Sequence, residues 1–269
     1  MHDLRHYGLS PERGFLSATE IDDVLLPDDF AEVEDAAAIL SGLVTTGRIR
    51  HWLGALPIPD YDALIATGDT AAIGVAMVRY SFLVQAYVWG EPTPVATLPA
   101  NLALPFVALS DAIGFPPVMN YAGYVLDNWY RLDKSGPIAL ENLVMDQHFA
   151  GGQDENWFVL VHVAIEAVAG RALALGVDLV RASDAGDAAK TEKLLIEMNG
   201  VWDEINAIFD RMIEKCDPYI YFNRVRPYIN GWKNNPAMPD GLIYEGVARF
   251  GGKPQALRGQ TGSQSSIVP

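Results

Sequence analysis

The chain has 269 residues, half of them hydrophobic, which is enough for one large core or two smaller ones. Its 34 acidic and 19 basic residues give a formal net charge of −15, which would repel nucleic-acid phosphates and anionic membrane surfaces, so we expect neither as a partner. Cys216 is the only cysteine, which excludes an intrachain disulfide and a thiolate metal cluster within this chain and favours a reducing, cytoplasmic location.

The N-terminal half is predicted to be a series of helices separated by proline- and glycine-containing loops. Residues 1–13 contain no apolar run typical of a secretory signal, and Arg79 interrupts the apolar stretch 73–90 before it reaches the length of a membrane span. Asp69 is expected to be the N-cap of a helix that ends near Trp89. Helices are predicted at 30–46, 61–67, 70–89, 101–114 and 117–131. The segment 90–99, with three prolines, links the first part of the chain to the second.

The C-terminal half contains the most regular helical pattern. Residues 156–175 are apolar on nearly all sides, which is typical of a helix at the centre of a domain. Residues 194–212 place apolar side chains three and four positions apart, which predicts a long amphipathic helix. Another helix is expected at 219–231, followed by a loop-rich segment, 232–269. Because we find no internal repeat and no alternating strand pattern, the predicted fold class is all-α.

Short motifs, distributed over most of the chain, carry a resemblance to a known family. They are AYVWG at 86–90, NLALP at 101–105, a proline pair at 116–117 followed by VLDNW at 125–129, YFNRVRPYINGW at 221–232, DGLIYEG at 240–246 and TGSQSS at 261–266. In this order and spacing, they make the chain resemble the haem-dependent indoleamine 2,3-dioxygenase family over about residues 7–269.

The resemblance implies an architecture and a reaction. A small N-terminal helical domain, 1–98, would lie on a larger helical domain, 99–269, that binds haem b and the substrate. The expected reaction inserts O2, the co-substrate, into the indole C2–C3 bond of tryptophan or a related indole and gives an N-formylkynurenine-type product. The protein would orient the indole, hold its amino-acid portion and exclude water, whereas the oxygen chemistry belongs to the haem.

The resemblance assigns the substrate carboxylate to Arg226. A planar guanidinium can bind a carboxylate through two parallel hydrogen bonds, which a lysine cannot do. The alternative is a surface arginine or a structural salt bridge. Arg224 lies two residues earlier and points to a different face, so one of the two arginines is expected to face inward.

Four aromatic residues are expected to line the substrate pocket. Tyr221 and Phe222 match a pair that flanks the indole, Tyr121 and Phe158 match further pocket positions, and Phe158 is also expected to contact the haem. Simple core packing is the alternative for each of them. Tyr221 replaces the phenylalanine of the family, so its hydroxyl needs a partner if it is buried. Phe222 precedes Arg226 by four residues and should share its helix face.

His162 is the predicted catalytic residue, at a position where the animal enzymes carry a serine. On the distal side of the haem, it would hydrogen-bond either the indole N–H or the iron-bound oxygen. The alternative is an intrahelical pair with Glu166, four residues on. The sequence Thr261-Gly262-Ser263 matches a loop that contacts the substrate (Thr261 and Gly262) and a haem propionate (Gly262 and Ser263).

The sequence also departs from the family. The family's axial histidine, and the aspartate that orients it, would lie beyond Pro269, so the expectation is an incomplete chain with no iron ligand of its own. The histidines other than His162 are remote from the matched haem motifs: His2, His6, His51 and His148. Two alternatives stay open, namely another haem enzyme of the same fold that oxidises or rearranges indoles, and a non-enzymatic helical protein that binds indole or haem.

Overall fold

The computed structural model describes residues 3–267 and confirms the predicted all-α class, with 58% helix and 6% strand. The helices are α1 Ala31–Ala38, α2 Leu40–Leu43, α3 Ile49–Leu53, α4 Tyr61–Ala66, α5 Thr70–Trp89, α6 Ala100–Ile113, α7 Gln153–Asp184, α8 Ala188–Asp210 and α9 Pro218–Ile220. Two short strand pairs accompany the helices, and the parallel pair joins distant segments. The parallel pair is β1 Thr97–Leu98 with β4 Ile243–Tyr244, and the antiparallel pair is β2 Trp129–Arg131 with β3 Leu143–Met145.

Helix α5 is the centre of the core. The Asp69 side chain accepts hydrogen bonds from the backbone N–H groups of Ala71 and Ala72, so the predicted N-cap is confirmed. The helix packs against α1, α3, α4 and α6, and most of its side chains are buried. Its one basic residue, Arg79, pairs with Glu34 at 2.7 Å and also with Asp146. A charge within this apolar helix is therefore neutralised locally.

Two helices meet the length and composition criteria for a membrane span. They are α5, with 20 residues, and α7, with 32 residues. This is weak evidence, because the core helix of a protein without any membrane segment meets the same criteria. In α5, 78% of the most apolar window is buried inside the protein. The expectation of no membrane partner stays a prediction.

Helices α7 and α8 form a long antiparallel hairpin. Asp187 caps α8 by accepting a hydrogen bond from the N–H of Lys190. Helix α7 is longer than the predicted 156–175: its first half is buried as far as Gly170, and its second half is mostly partly exposed. The amphipathic helix α8 is confirmed, with Leu194, Val201 and Ile205 buried.

The predicted helix 117–131 is wrong. Only a π-helical turn, Ala122–Leu126, is helical, and β2 follows it. Asn128 explains the change, because its side chain accepts a hydrogen bond from the Gln147 N–H at 2.8 Å and donates one to the Gln147 carbonyl at 3.0 Å. These bonds fix the chain beside β3 and compete with a continuing helix.

Two further helices are less regular than predicted. The helix expected at 30–46 is interrupted at Ile39, between α1 and α2. The helix expected at 219–231 consists of α9, a π-helical turn Tyr221–Val225 and a 3-10 turn Arg226–Ile229. Pro227 has no N–H to donate, which breaks the α-helical hydrogen-bond series at this point.

The N-terminal segment crosses α7 at two glycines. A Cβ atom on Gly170 would lie 2.6 Å from the backbone nitrogen of Gly14 and 2.6 Å from the carbonyl oxygen of Pro11, so only glycine permits this approach. Gly14 itself has a φ of +57°. One hydrophobic cluster extends from Leu16 to Val247 and includes residues on both sides of residue 98, so the proposed domain boundary there stays a prediction.

Candidate functional site

Four of the predicted site residues meet in one aromatic cluster. The rings of Phe158, from α7, and Tyr221, from the π-helical turn after α9, stack with centroids 4.1 Å apart and planes inclined by 25°. His162 lies one helical turn after Phe158, and its ring centroid is 4.4 Å from that of Phe158. Tyr121 meets His162 edge-on at 6.2 Å. The structure therefore brings together residues from three distant parts of the chain.

The imidazole of His162 has a defined tautomer. Its Nδ1 lies 2.7 Å from the carbonyl oxygen of Phe158, and a carbonyl can only accept a hydrogen bond, so Nδ1 carries the proton. Burial lowers the pKa of His162, against the opposing effect of that hydrogen bond, so the ring is neutral at physiological pH. Nε2 then has a lone pair and acts as an acceptor.

The alternative pair between His162 and Glu166 is not formed. Glu166 is fully buried and accepts hydrogen bonds from the Tyr121 hydroxyl at 3.2 Å and from the Ser266 N–H at 3.2 Å, as well as from the Ser266 hydroxyl. Burial raises the pKa of Glu166, and these partners oppose the rise. The carboxylate thus joins α7 to the C-terminal segment, a role that sequence reasoning missed. The one sequence feature that pointed to this role was an acidic residue, Glu166, within an apolar helix.

The predicted loop Thr261-Gly262-Ser263 lies next to this cluster. The Gln264 side chain accepts a hydrogen bond from the Tyr121 backbone N–H at 2.9 Å and, with Thr261, forms a capping box around the turn. Thr261, Gly262 and Ser263 are all exposed. Their polar groups are therefore accessible to a ligand beside the aromatic cluster.

Phe222 and Arg226 lie at the surface rather than in a closed pocket. Phe222 is 65% exposed, and both Arg226 and Arg224 are exposed, so the expectation that one arginine faces inward is not met. The reason is the position of the buried side chains: Tyr221 and Val225 face the core, and the residues that follow each of them face outward.

Arg226 nevertheless lies close enough to the Tyr221 hydroxyl to favour its ionised form, although burial is the larger effect and raises the pKa of Tyr221. The Tyr221 hydroxyl, which needed a partner if buried, lies 3.5 Å from the hydroxyl of Tyr124. Within residues 3–267, no ion pair or hydrogen bond engages the Arg226 side chain. A cation without a partner therefore lies beside the aromatic stack.

His162 is the only imidazole of the described chain that lies in this cluster. His6 is in the N-terminal turn, His51 is on α3 and His148 lies between β3 and α7, while His2 is outside the described residues. The one group of metal-capable side chains found among residues 3–267 is formed by Glu20, Asp22 and Asp23, and Lys134 already binds all three.

The groups in and beside the cluster have the chemistry to hold one face of a haem. They are the free imidazole nitrogen of His162, the exposed ring of Phe222, the cation of Arg226 and the hydroxyl of Ser263, which are the kinds of group that would hold a porphyrin and its propionates. A proximal ligand is not found among residues 3–267.

The structure is thus a helical protein in which an aromatic cluster carries one hydrogen-bond acceptor, on His162, and lies near one cation, Arg226. The profile of the indoleamine 2,3-dioxygenase family matches residues 3–269, and the chain belongs to this family.

Relatives with curated descriptions agree with the assignment. The chain is 32% identical over 266 residues to indoleamine 2,3-dioxygenase 1 of Rattus norvegicus, covering 98% of this chain and 63% of the relative. It is 32% identical over 270 residues to indoleamine 2,3-dioxygenase 2 of Homo sapiens, with 98% and 64% covered. With indoleamine 2,3-dioxygenase of Saccharomyces cerevisiae the identity is 28% over 276 residues, with 98% and 60% covered. The chain thus spans less than two thirds of the length of these relatives.

Proposed function

We propose that this protein binds haem and catalyses the insertion of O2 into the indole C2–C3 bond of tryptophan or a related indole. The observation that carries the proposal is the neutral His162, whose ring lies 4.4 Å from that of Phe158 in the Phe158–Tyr221 stack and whose Nε2 is left as an acceptor. Family membership supports the same reaction class. The cytoplasmic location and the lack of nucleic-acid and membrane partners remain predictions from composition and charge.

In this proposal His162 binds the indole rather than oxygen. A neutral imidazole whose Nδ1–H is engaged by the Phe158 carbonyl has only an acceptor left at Nε2. The indole N–H is a donor, whereas a bound oxygen would require a donor from the protein. The stacked rings of Phe158 and Tyr221 supply a flat apolar wall for the indole.

The polar end of the substrate and the haem would be held by exposed residues and by Phe158. Arg226 binds the amino-acid carboxylate, Thr261 and Gly262 contact the substrate, and Phe158, Gly262 and Ser263 contact the haem. Haem, when bound, supplies the activation of O2. The chain's own residues orient the indole and exclude water from it.

The first experiment identifies the product. The protein is loaded with haemin and incubated with tryptophan, a reductant and ¹⁸O2, and the product is analysed by mass spectrometry. Dioxygenation predicts a product that gains both oxygen atoms of one O2 molecule. Gain of one labelled atom would favour the alternative of a different indole-oxidising enzyme. Indole binding without a Soret band would favour a non-enzymatic binding protein.

The second experiment tests Arg226. Arg226→Ala should weaken the binding of tryptophan by about tenfold, about 1.4 kcal/mol, because an exposed charge-assisted pair is weaker than a buried one. Binding of tryptamine, which lacks the carboxylate, should not change. The matched control is Arg224→Ala, which removes an exposed arginine two residues away and should affect neither ligand. Equal losses for tryptophan and tryptamine would show that Arg226 is structural.

The third experiment tests the tautomer of His162. His162→Ala should weaken the binding of indole several-fold, corresponding to about 1 kcal/mol for one hydrogen bond, and should not weaken that of 1-methylindole, which has no N–H. In the wild-type protein, indole binding should fall only when the pH drops below the ordinary pKa of histidine, since burial lowers the pKa of His162. A variant that loses both ligands equally would show that His162 has only a packing role.

A further inference from the structure

A cleft lies along the 120–127 segment and shares Tyr121 with the candidate functional site. It has a volume of about 510 Å³. Its walls are largely apolar and come from the N-terminal segment, from the residues that follow α6 and from the π-helical turn: Leu9, Phe15, Phe115, Pro116 and Leu126. Such a volume is within the range of small-molecule sites, about 300–1,000 Å³.

Among residues 3–267, Asp127 is the one acidic residue on the wall of this cleft. Its backbone N–H bonds to the Ala122 carbonyl at 2.9 Å, but within residues 3–267 its carboxylate has neither a hydrogen-bond donor nor a basic partner. Removal from water is the only cause found for its raised pKa, about 7 instead of 3.8. A carboxylate in this condition needs a partner that the described chain does not supply.

The three carboxylates buried among residues 3–267 all have partners, whereas Asp127, which is partly buried, has none. Glu20 is held by Arg131 and Lys134, Glu155 accepts three backbone N–H groups, and Glu166 is held by a tyrosine and a serine. Asp127 differs also in its surroundings, because a smaller cavity of about 170 Å³ shares both Asp127 and Phe115 with the cleft. Asp127 therefore borders two cavities.

We propose that this cleft binds a small organic ammonium ion that carries an apolar group. The ammonium pairs with the Asp127 carboxylate, and the apolar group packs against Phe15, Phe115 and Leu126. A single carboxylate among apolar walls is a poor site for a divalent metal, which requires several oxygen ligands. The aromatic ring of Phe115, 40% exposed, adds a surface that attracts an organic cation.

The proposed cleft differs from the aromatic cluster in its lining. Tyr121 and Gln264 border the cleft and also lie beside the cluster, but Phe158, His162 and Tyr221 do not line the cleft. The inference does not depend on the proposed dioxygenase activity.

The test measures binding of 2-phenylethylamine and of the neutral 2-phenylethanol by isothermal titration calorimetry at pH 8. The wild-type protein should bind the amine more tightly than the alcohol, and Asp127→Asn should weaken amine binding by at least about tenfold without changing alcohol binding. The matched control is Asp111→Asn, which removes an exposed carboxylate that is paired with Arg249 and should bind as the wild type does. Phe115→Ala should weaken both ligands.

The outcomes separate the proposal from its alternatives. Asp127→Asn removes no hydrogen bond found in residues 3–267, and a thermal melt verifies that it is folded. Amine affinity that survives Asp127→Asn, equal affinity of the wild type for amine and alcohol, or the absence of amine binding would each overturn the proposal. An equal loss in Asp111→Asn would do the same, because it would indicate general surface attraction.

Discussion

Replacing Asp127 by asparagine should stabilise the folded protein at neutral and alkaline pH. Burial raises the pKa of Asp127 from 3.8 to about 7, and this difference corresponds to about 4 kcal/mol when the carboxylate is fully ionised. Asp127 lines an open cleft, where water solvates part of its charge, so we expect about half of this value, about 2 kcal/mol. Asparagine resembles the protonated carboxyl in shape and avoids the cost.

The direction in which pH changes the stability follows from proton linkage. Because the folded-state pKa exceeds the unfolded one, the folded protein binds more protons between pH 4 and 7, and the wild type loses this share of its stability as the pH rises through that window. Urea unfolding of both proteins between pH 4 and 8.5 should give a difference in the free energy of unfolding that grows from near zero to about 2 kcal/mol and then levels off. The titrations of Glu155 and Glu166 cancel in this difference. A difference that does not depend on pH would refute the reasoning.

Two further substitutions test the packing around α7. Gly170→Ala should lower the free energy of unfolding by about 1–3 kcal/mol, because its Cβ would meet backbone atoms at 2.6 Å. The control Gly176→Ala, on the same helix with no atom within 4 Å of the added Cβ, should raise the free energy of unfolding by up to about 1 kcal/mol. Similar effects of both substitutions in urea unfolding would contradict the close approach at Gly170. Tyr121→Phe should lower the free energy of unfolding by about 1 kcal/mol, because it removes a hydrogen bond to Glu166. It should also speed amide hydrogen exchange at Ser266, whose N–H donates to the same carboxylate. Unchanged exchange at Ser266 would show that the two contacts are independent.

The elements that local chemistry controls were predictable from the sequence. Helix α5 begins after Asp69 because that side chain caps two N–H groups, and it ends at Trp89 as expected. The segment 117–131 was not predictable in the same way. Its course depends on Asn128 bonding to Gln147 and on β2 pairing with β3, and such contacts leave no local periodicity.

In the candidate site, too, some features could be predicted from the sequence and others could not. The motif order assigned Tyr121, Phe158, His162 and Tyr221 to one pocket; their rings do lie together, although they are up to 100 positions apart, and their roles in binding stay predictions. The exposure of Phe222 could not be predicted, because it depends on which side of an irregular helix the core occupies. Helical spacing alone suggested His162 as the partner of Glu166, whereas the actual partners come from elsewhere in the chain.

The hydrogen-bond partners of Glu166 determine the chemistry that is available to His162. Had the carboxylate bonded to the imidazole, its charge would have raised the pKa of His162 and favoured a cationic ring with a donor at Nε2. Tyr121 and Ser266 donate hydrogen bonds to Glu166 instead, and the Phe158 carbonyl accepts a hydrogen bond from the Nδ1–H of His162. Two ionisable groups, one turn apart on α7, are thereby kept independent. The imidazole stays neutral, and its remaining nitrogen is suited to receive an N–H from a flat ring beside the aromatic stack.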